Sequence, residues 1–146
     1  MTVVSVTRLR LRSVRFLLRL HWETWKIRRS LQKAPGFLRG KLLVDRKMAF
    51  WTMTIWRDVD SMLAFRDSPA HAAVMPKVGL WCDEASVVHW EAETDQLPTW
   101  KEAYRRMTES GKLSPLKIKS RDHEAHRFRK PVVSKSRETP IQPRMT

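Results

Sequence analysis

Phe50-Trp51-Thr52-Met53-Thr54-Ile55-Trp56 is the stretch that most restricts what this chain can fold into. Its aromatic and β-branched residues suit a pleated strand. Alternation puts Trp51, Met53 and Ile55 on one side and Phe50 and Trp56 on the other. A strand oily on both sides has to be covered on both. A helical run from about Ser61 to Trp81 follows, and Ser86-Val87-Val88-His89-Trp90 returns as a strand.

The N-terminal third supplies the complementary half. Val3 to Leu11 alternates as a first strand, with Val4, Val6, Arg8 and Arg10 on one side and Val3, Ser5, Thr7, Leu9 and Leu11 on the other. Ser13 suits a helix cap. Beyond it Leu17, Leu18, Trp22, Trp25 and Leu31 recur at helical spacing, opposite Arg15, Arg19, Lys26 and Arg29. Ala34-Pro35-Gly36 ends that helix, and Phe37 to Val44 then turns through Asp45-Arg46-Lys47 into the aromatic strand as a hairpin. The order β-α-β-β-α-β predicts an α+β, ferredoxin-like domain over residues 1–95, a four-stranded antiparallel sheet with two helices on one face.

Local signals refine this outline. Asp58 and Asp60 start the second helix, Ser68-Pro69 restarts it as a second piece, and Pro76 predicts a kink or an end near Val74. Thr99 and Glu102 form a capping box for an accessory helix within 96–111, with Trp100, Ala103, Tyr104 and Met107 on its apolar side and Gly111 closing it. Residues 112–146 carry few apolar anchors, so a mobile basic tail is expected there.

A chain of 146 residues with 42% hydrophobic content makes one domain. Its net charge of +14 is unevenly spread: +11 over residues 1–47, −5 over 48–100 and +8 over 101–146. Such ends keep a protein soluble or meet anionic surfaces. The single Cys82 excludes an intramolecular disulfide and a cysteine metal cage, and fits a cytoplasmic location. No apolar run approaches the ~20 residues of a membrane span, and arginines from Arg8 to Arg19 break up any secretion signal. Phosphate-loop, zinc-protease and nucleophile-elbow motifs are absent. Asp122-His123-Glu124-Ala125-His126 has ligand-type side chains but sits in the tail, where nothing would fix it, so no metal is predicted.

The element order, together with Phe50 to Asp58, Ser61-Met62-Leu63-Ala64-Phe65 and Ser68-Pro69-Ala70-His71, resembles the antibiotic-biosynthesis-monooxygenase-like group of dimeric α+β barrels over residues 3–92. Within that group the chain is most similar to a bacterial branch like the spheroidene-monooxygenase-like proteins, which carries a tail like Pro98-Thr99-Trp100-Lys101-Glu102-Ala103. The resemblance implies a homodimer whose two sheets close against each other, so that the strand face not packed by helices is hidden by a second copy. It also implies oxygenation of a lipophilic aromatic or polyene substrate in a cavity between sheet and helices, without metal or flavin.

The residues that suit such a site are His71, His89 and Thr7 as catalytic or polar groups, and Trp22, Trp25, Trp51, Trp56, Phe65, Met75 and Trp81 as walls for a flat ring. For each of them a plain place in the core, the dimer interface or the surface is the alternative. Haem is the rival within the same fold. Haem-degrading relatives use an Asn on the first strand and a Trp and a His on the second helix. Here Thr7, then Phe65 or Ser68, then Val78 or Met75 stand at those places, which disfavours haem degradation, though one imidazole such as His71 suffices as an axial ligand. The reading from a different class is a non-catalytic binding module. The helix around Val14 to Leu31 has the make-up of an interfacial helix for an anionic membrane, and nucleic acid is the weaker partner.

Overall fold

A computed structural model describes residues 1–45, 48–134 and 137–144. Strand β1 (Thr2–Leu11) leads through a short 3-10 turn at Val14–Phe16 into α1 (Leu17–Gln32). The hairpin β2 (Phe37–Val44) and β3 (Ala49–Trp56) follows, and its expected connecting residues Arg46 and Lys47 lie outside the described residues. Next come α2 (Val59–Arg66), α3 (Pro69–Trp81), β4 (Cys82–Ala92), α4 (Trp100–Ser110), β5 (Lys112–Leu113), α5 (Arg121–Glu124) and β6 (Glu138–Ile141). The chain leaves α1 through Gly36, whose φ of +83° is a left-handed conformation that glycine adopts without penalty.

The second helical region divides where Ser68-Pro69 indicated. The Asp58 side chain caps α2 by accepting from the Ser61 amide at 2.8 Å, and Ser68 caps α3 with Pro69 in the first turn. The end expected near Val74 does not occur. The helix runs through Pro76 to Trp81, because Val74, Val78 and Trp81 on one of its faces are held in the core on both sides of the proline. Thr99 caps α4 by accepting from the Glu102 amide at 3.1 Å, but the Glu102 carboxylate turns to Arg105 and Arg106, so only half of the capping box forms.

All strand pairings are antiparallel, in the order β5-β4-β1-β3-β2-β6. The inner four strands have the ferredoxin-like order. Among the described residues the sheet nevertheless has six strands, not four, and is open, because the segment beyond α4 adds one strand to each edge. That segment was expected to be mobile for want of apolar anchors. Backbone hydrogen bonds hold it instead: Ser114 donates to the Ala85 carbonyl of β4 at 2.9 Å, Ser120 to that of Asp83 in β4 at 3.0 Å, and Lys117 to that of Gly79 in α3 at 3.1 Å. Leu116 and Ile141 of that segment are buried, whereas Ile118, Val132 and Val133 stay exposed. An unpaired sheet edge is a template for any extended chain, and composition does not register it.

Two apolar layers flank the sheet. On one face Val3, Leu11, Phe50, Trp56 and Ala85 pack with Phe16, Leu20 and Leu31 before and in α1, Met62 of α2, and Val74, Val78 and Trp81 of α3. On the other face Val4, Val6, Trp51, Met53, Ile55 and Val88 pack with Trp100, Ala103 and Met107 of α4. The two-sided pattern of β3 is therefore as the alternation predicted. Its cover is not: the second face, expected to be hidden by a second copy, is sealed by the chain's own α4, and Trp51, Met53 and Ile55 are fully buried within one molecule. Hiding that face requires no homodimer.

Candidate functional site

The helix-side face of the sheet is closed at both ends and open in the middle. Val3 and Trp56 are buried at one end and Leu11, Phe50 and Ala85 at the other, while Ser5, Thr7, Thr52 and Val87 between them are half-buried and His89 is exposed. Register places these central residues in two rows. Ser5 stands between His89 and Thr54, and Thr7 stands between Val87 and Thr52. A stretch of small hydroxyl side chains thus lies partly uncovered in a surface that the helices otherwise coat with aliphatic and aromatic groups.

An aromatic series borders this floor. Phe37 meets Trp56 edge-on with ring centroids 5.5 Å apart, Trp56 lies 5.4 Å from Phe65, and Phe65 meets the His71 ring edge-on at 5.6 Å. Trp56 donates from Nε1 to the Thr54 hydroxyl at 2.9 Å, which ties the series to the rows of hydroxyls. His71 is half-buried near the start of α3, its Nδ1 enclosed without a partner of good hydrogen-bond geometry. Burial pushes its pKa below the ordinary histidine value, an effect that the Arg66 backbone beside the ring opposes in part, so the imidazole is neutral near pH 7 and able to accept a proton.

Of the residues that sequence reasoning selected, Thr7, Trp56, Phe65, His71 and His89 belong to this floor and its border. The others lie elsewhere. Trp51 is on the opposite face, edge-on to Trp100 at 6.5 Å. Trp81 stacks on Phe16 at 6.2 Å along the seam between α1 and α3. Trp22, Trp25 and Met75 are exposed, the first two stacked on each other at 5.3 Å. Outside the seam, Leu18, Arg19, Trp22, Glu23, Lys77 and Trp81 line an open cleft of about 400 Å³, in which Glu23 accepts from Lys77 at 2.7 Å. Periodicity marks these tryptophans as helical; which side of α1 meets the sheet is settled by Leu20 and Leu31, which share the opposite side.

Sequence reasoning missed a buried ionic network under the second face. Arg8 donates from Nη1 to Glu84 Oε1 at 2.6 Å, with both side chains buried. Arg10 donates to Glu84 Oε2 at 2.9 Å, and so does the Ser120 hydroxyl at 2.9 Å. Burial acts to raise the Glu84 pKa, but Arg8, Ser120 and Arg10 together hold it below the ordinary carboxylate value. Burial pushes neighbouring Asp83 the other way, upward. His123, where the composition predicts a loose tail, is buried and accepts from the Ala85 amide at Nδ1, 3.3 Å away. Among the described residues, no three histidine, cysteine, aspartate or glutamate side chains come together as a metal site. The available signal was Arg8 itself, a charge on the same side of its strand as Val4 and Val6.

The family DUF3291, a domain of unknown function, matches residues 16–141. The chain belongs to this family. The match runs through α4, β5 and β6. No curated protein matches the chain. Solved structures with a similar fold include SnoaB from Streptomyces nogalater, described as a cofactor-independent oxygenase and solved as a mutant, at 18% identity and a TM-score of 0.53 over 67% of this chain and 98% of that one. Rv0793 from Mycobacterium tuberculosis is 14% identical, with a TM-score of 0.58 over 64% and 97%. A structure described as an antibiotic biosynthesis monooxygenase is 14% identical, with a TM-score of 0.57 over 63% and 99%. At these identities the likeness is one of fold. It agrees with the ferredoxin-like fold of the inner four strands, and each of these proteins is matched almost whole by about two thirds of this chain.

Proposed function

We propose that this protein is a small monooxygenase-like enzyme that takes a lipophilic aromatic or polyene substrate onto the helix-side floor of its sheet. The observation that carries the reading is the half-buried group Ser5, Thr7 and Thr52 in the middle of a face whose ends are sealed by apolar side chains, bordered by Trp56, Phe65 and His71. Apolar walls with a few placed polar groups are the usual composition of a small-molecule site. The fold shared with SnoaB, itself described as a cofactor-independent oxygenase, supports the reaction class.

In this reading the hydroxyls hold the oxygen substituents of the ring and neutral His71 accepts the proton that leaves the substrate. His89, exposed at the edge of the floor, is the alternative acceptor. The deprotonated substrate then supplies the electrons. For an anthrone-type ring a methylene and O₂ become a carbonyl and water, which balances without an added reductant. Likeness to the spheroidene-monooxygenase-like branch and a cytoplasmic location belong to the same proposal.

The test is oxygen uptake and product analysis with a panel of anthrone-type and quinol-type substrates, with haemin followed in parallel by its Soret band. Turnover that falls about a hundredfold in His71→Ala, in the range of a lost general base, supports the proposal. No uptake and no substrate loss across the panel would remove it. A Soret shift abolished by His71→Ala would move the site to haem.

A further inference from the structure

Helix α1 is apolar on two opposite sides, and only one of them faces the sheet. Leu20, Ile27 and Leu31 pack inward. With Val14 in the 3-10 turn just before the helix, Leu18, Trp22 and Trp25, which at 100° per residue span an arc of about 60°, lie on the outward side. Val14, Leu18, Trp22 and Trp25 are exposed by 69%, 84%, 58% and 46%, respectively. A core helix has no use for such a stripe, and large apolar side chains held in water in a continuous row mark an interaction surface.

The charges around the stripe indicate what it meets. Between Arg12 and Lys33 the chain carries seven basic residues and one acid, Glu23, and that acid is already occupied by Lys77 at 2.7 Å and Lys26 at 3.1 Å. Arg15, Arg19 and Lys26 follow one flank of the stripe. Arg29 lies across the outer tryptophan pair, with its guanidinium carbon 4.9 Å from the Trp25 ring. The cleft of about 400 Å³ between α1 and α3 opens on the same surface, with Leu18, Trp22 and Trp81 forming apolar wall and Arg19 and Lys77 at its rim. Leu80 of α3 extends the exposed apolar area.

From this arrangement we infer that the outward face of α1 is a docking surface for an anionic lipid bilayer. Leu18, Trp22 and Trp25 enter the boundary between headgroups and acyl chains, and Arg15, Arg19, Lys26 and Arg29 lie against lipid phosphates. Tryptophan, with an apolar body and a polar N–H, is suited to that depth, and arginine pairs with phosphate through a planar fork. No helix among the described residues is long and apolar enough to cross a membrane, so the attachment is peripheral. The surface is separate from the helix-side floor and does not rest on the oxygenase reading.

The experiment is co-sedimentation of the full chain with vesicles of phosphatidylcholine alone and of phosphatidylcholine mixed with phosphatidylglycerol, at low and high salt. Tryptophan emission is read with brominated lipid as quencher. Binding is expected on the anionic vesicles only and is expected to weaken with salt. The exposed pair Trp22 and Trp25 should account for most of the quenching, since Trp51, Trp56, Trp81 and Trp100 are buried and Trp90 is half-buried on the opposite face under Arg106. Trp22→Ala with Trp25→Ala should cut binding at least tenfold, and Arg15→Gln and Arg19→Gln about fivefold each. These side chains are exposed, so the variants keep their thermal transitions. Lys101→Gln with Lys130→Gln removes two charges from the opposite side of the molecule and should leave binding nearly unchanged.

Equal binding by the tryptophan variant, or equal loss in the Lys101 and Lys130 control, overturns the inference. So does a concentration-dependent dimer that the tryptophan variant abolishes, which would make the stripe a contact between copies. Tight binding of a single-stranded oligonucleotide lost in the same variant would assign the surface to nucleic acid instead.

Discussion

The two faces of the sheet are built from the same four strands and solve opposite problems. On the face under α4, apolar side chains surround a charged network in which Arg8, Arg10 and Ser120 all converge on Glu84. On the face under α1, α2 and α3, the centre is made of small hydroxyl groups, and nothing covers it fully. The first face is closed by a helix and a strap within the chain, so its polar groups serve to hold that cover in one position. The second has spare access and weak internal bonding, which is where a binding site can exist at little cost to stability. Closure on one side lets the other side stay open.

Truncating the cover is the strongest way to break this contrast. Trp100→Ala removes a buried indole from the α4 face together with its Nε1 hydrogen bond to Glu138 Oε1 at 2.6 Å, which also ties β6 to α4. A loss of about 3 to 5 kcal/mol is expected, measured as the drop in the urea midpoint, and a loss under about 1 kcal/mol would mean that α4 does not close this face. A second copy then becomes useful. With α4 loosened, the face exposing Trp51, Met53 and Ile55 should drive dimerisation visible by sedimentation, as the barrel-forming resemblance implies.

Glu84→Gln tests the network beneath. Removing one partner of a buried ion pair leaves Arg8 charged and unmatched, at a cost of about 3 kcal/mol or more. Replacing Arg8 and Glu84 together by Met and Leu should restore much of that loss, since paired charges in a core are seldom better than apolar groups of similar size. If the double variant is as unstable as the single one, the network is holding the strap through Ser120, not merely neutralising itself.

How much of this was legible beforehand follows from which interactions reach through sequence and which do not. Trp51, Met53 and Ile55 announced a two-sided strand because alternation is a local property of the backbone. Ser68-Pro69 and Asp58 announced helix starts for the same reason. The cover of the second face was not local. Trp100, Ala103 and Met107 read as an amphipathic helix without saying where it docks, and a second copy of the chain would have satisfied the same oily strands. In the segment expected to be a mobile tail, Ser114 and Ser120 are held by backbone bonds to β4 and Lys117 by one to α3, which side-chain composition does not encode. The candidate site was visible only in part: Thr7 and His71 were singled out, whereas Ser5 and Thr52 gained their interest from register and exposure.

Acid should weaken the two faces in sequence. His71 on the helix side and His123 on the α4 side both have pKa values lowered by burial. The unfolded chain therefore takes up protons before the folded one, and stability falls as pH drops through the ordinary histidine range, about 6.5. The lowered pKa of Glu84 contributes stability present above the ordinary glutamate value and lost as pH falls through its folded value. Asp83 has the opposite sign: its raised pKa favours the folded state at low pH and less so as pH rises through that value. Urea midpoints should be lower at about pH 5.5 than at about pH 7.5. The difference should shrink in both His71→Gln and His123→Gln, and if it is unchanged in both, burial of these imidazoles is not what the acid attacks.

The smallest effect on folding is expected where the effect on binding should be largest. Thr7 and Thr52 face each other across β1 and β3 in the uncovered middle of the helix-side face. Thr7→Val and Thr52→Val keep the β-branched shape that suits a strand, and stability should move by no more than about 0.5 kcal/mol. A ligand seated on the floor would lose its hydroxyl partners, so the thermal stabilisation given by a bound quinol-type compound should fall in both variants while the unliganded transition stays in place. The outcome separates two uses of the same residues. Variants that lower stability markedly without a ligand would make the threonines part of the scaffold, and the contrast between a closed structural face and an open binding face would fail.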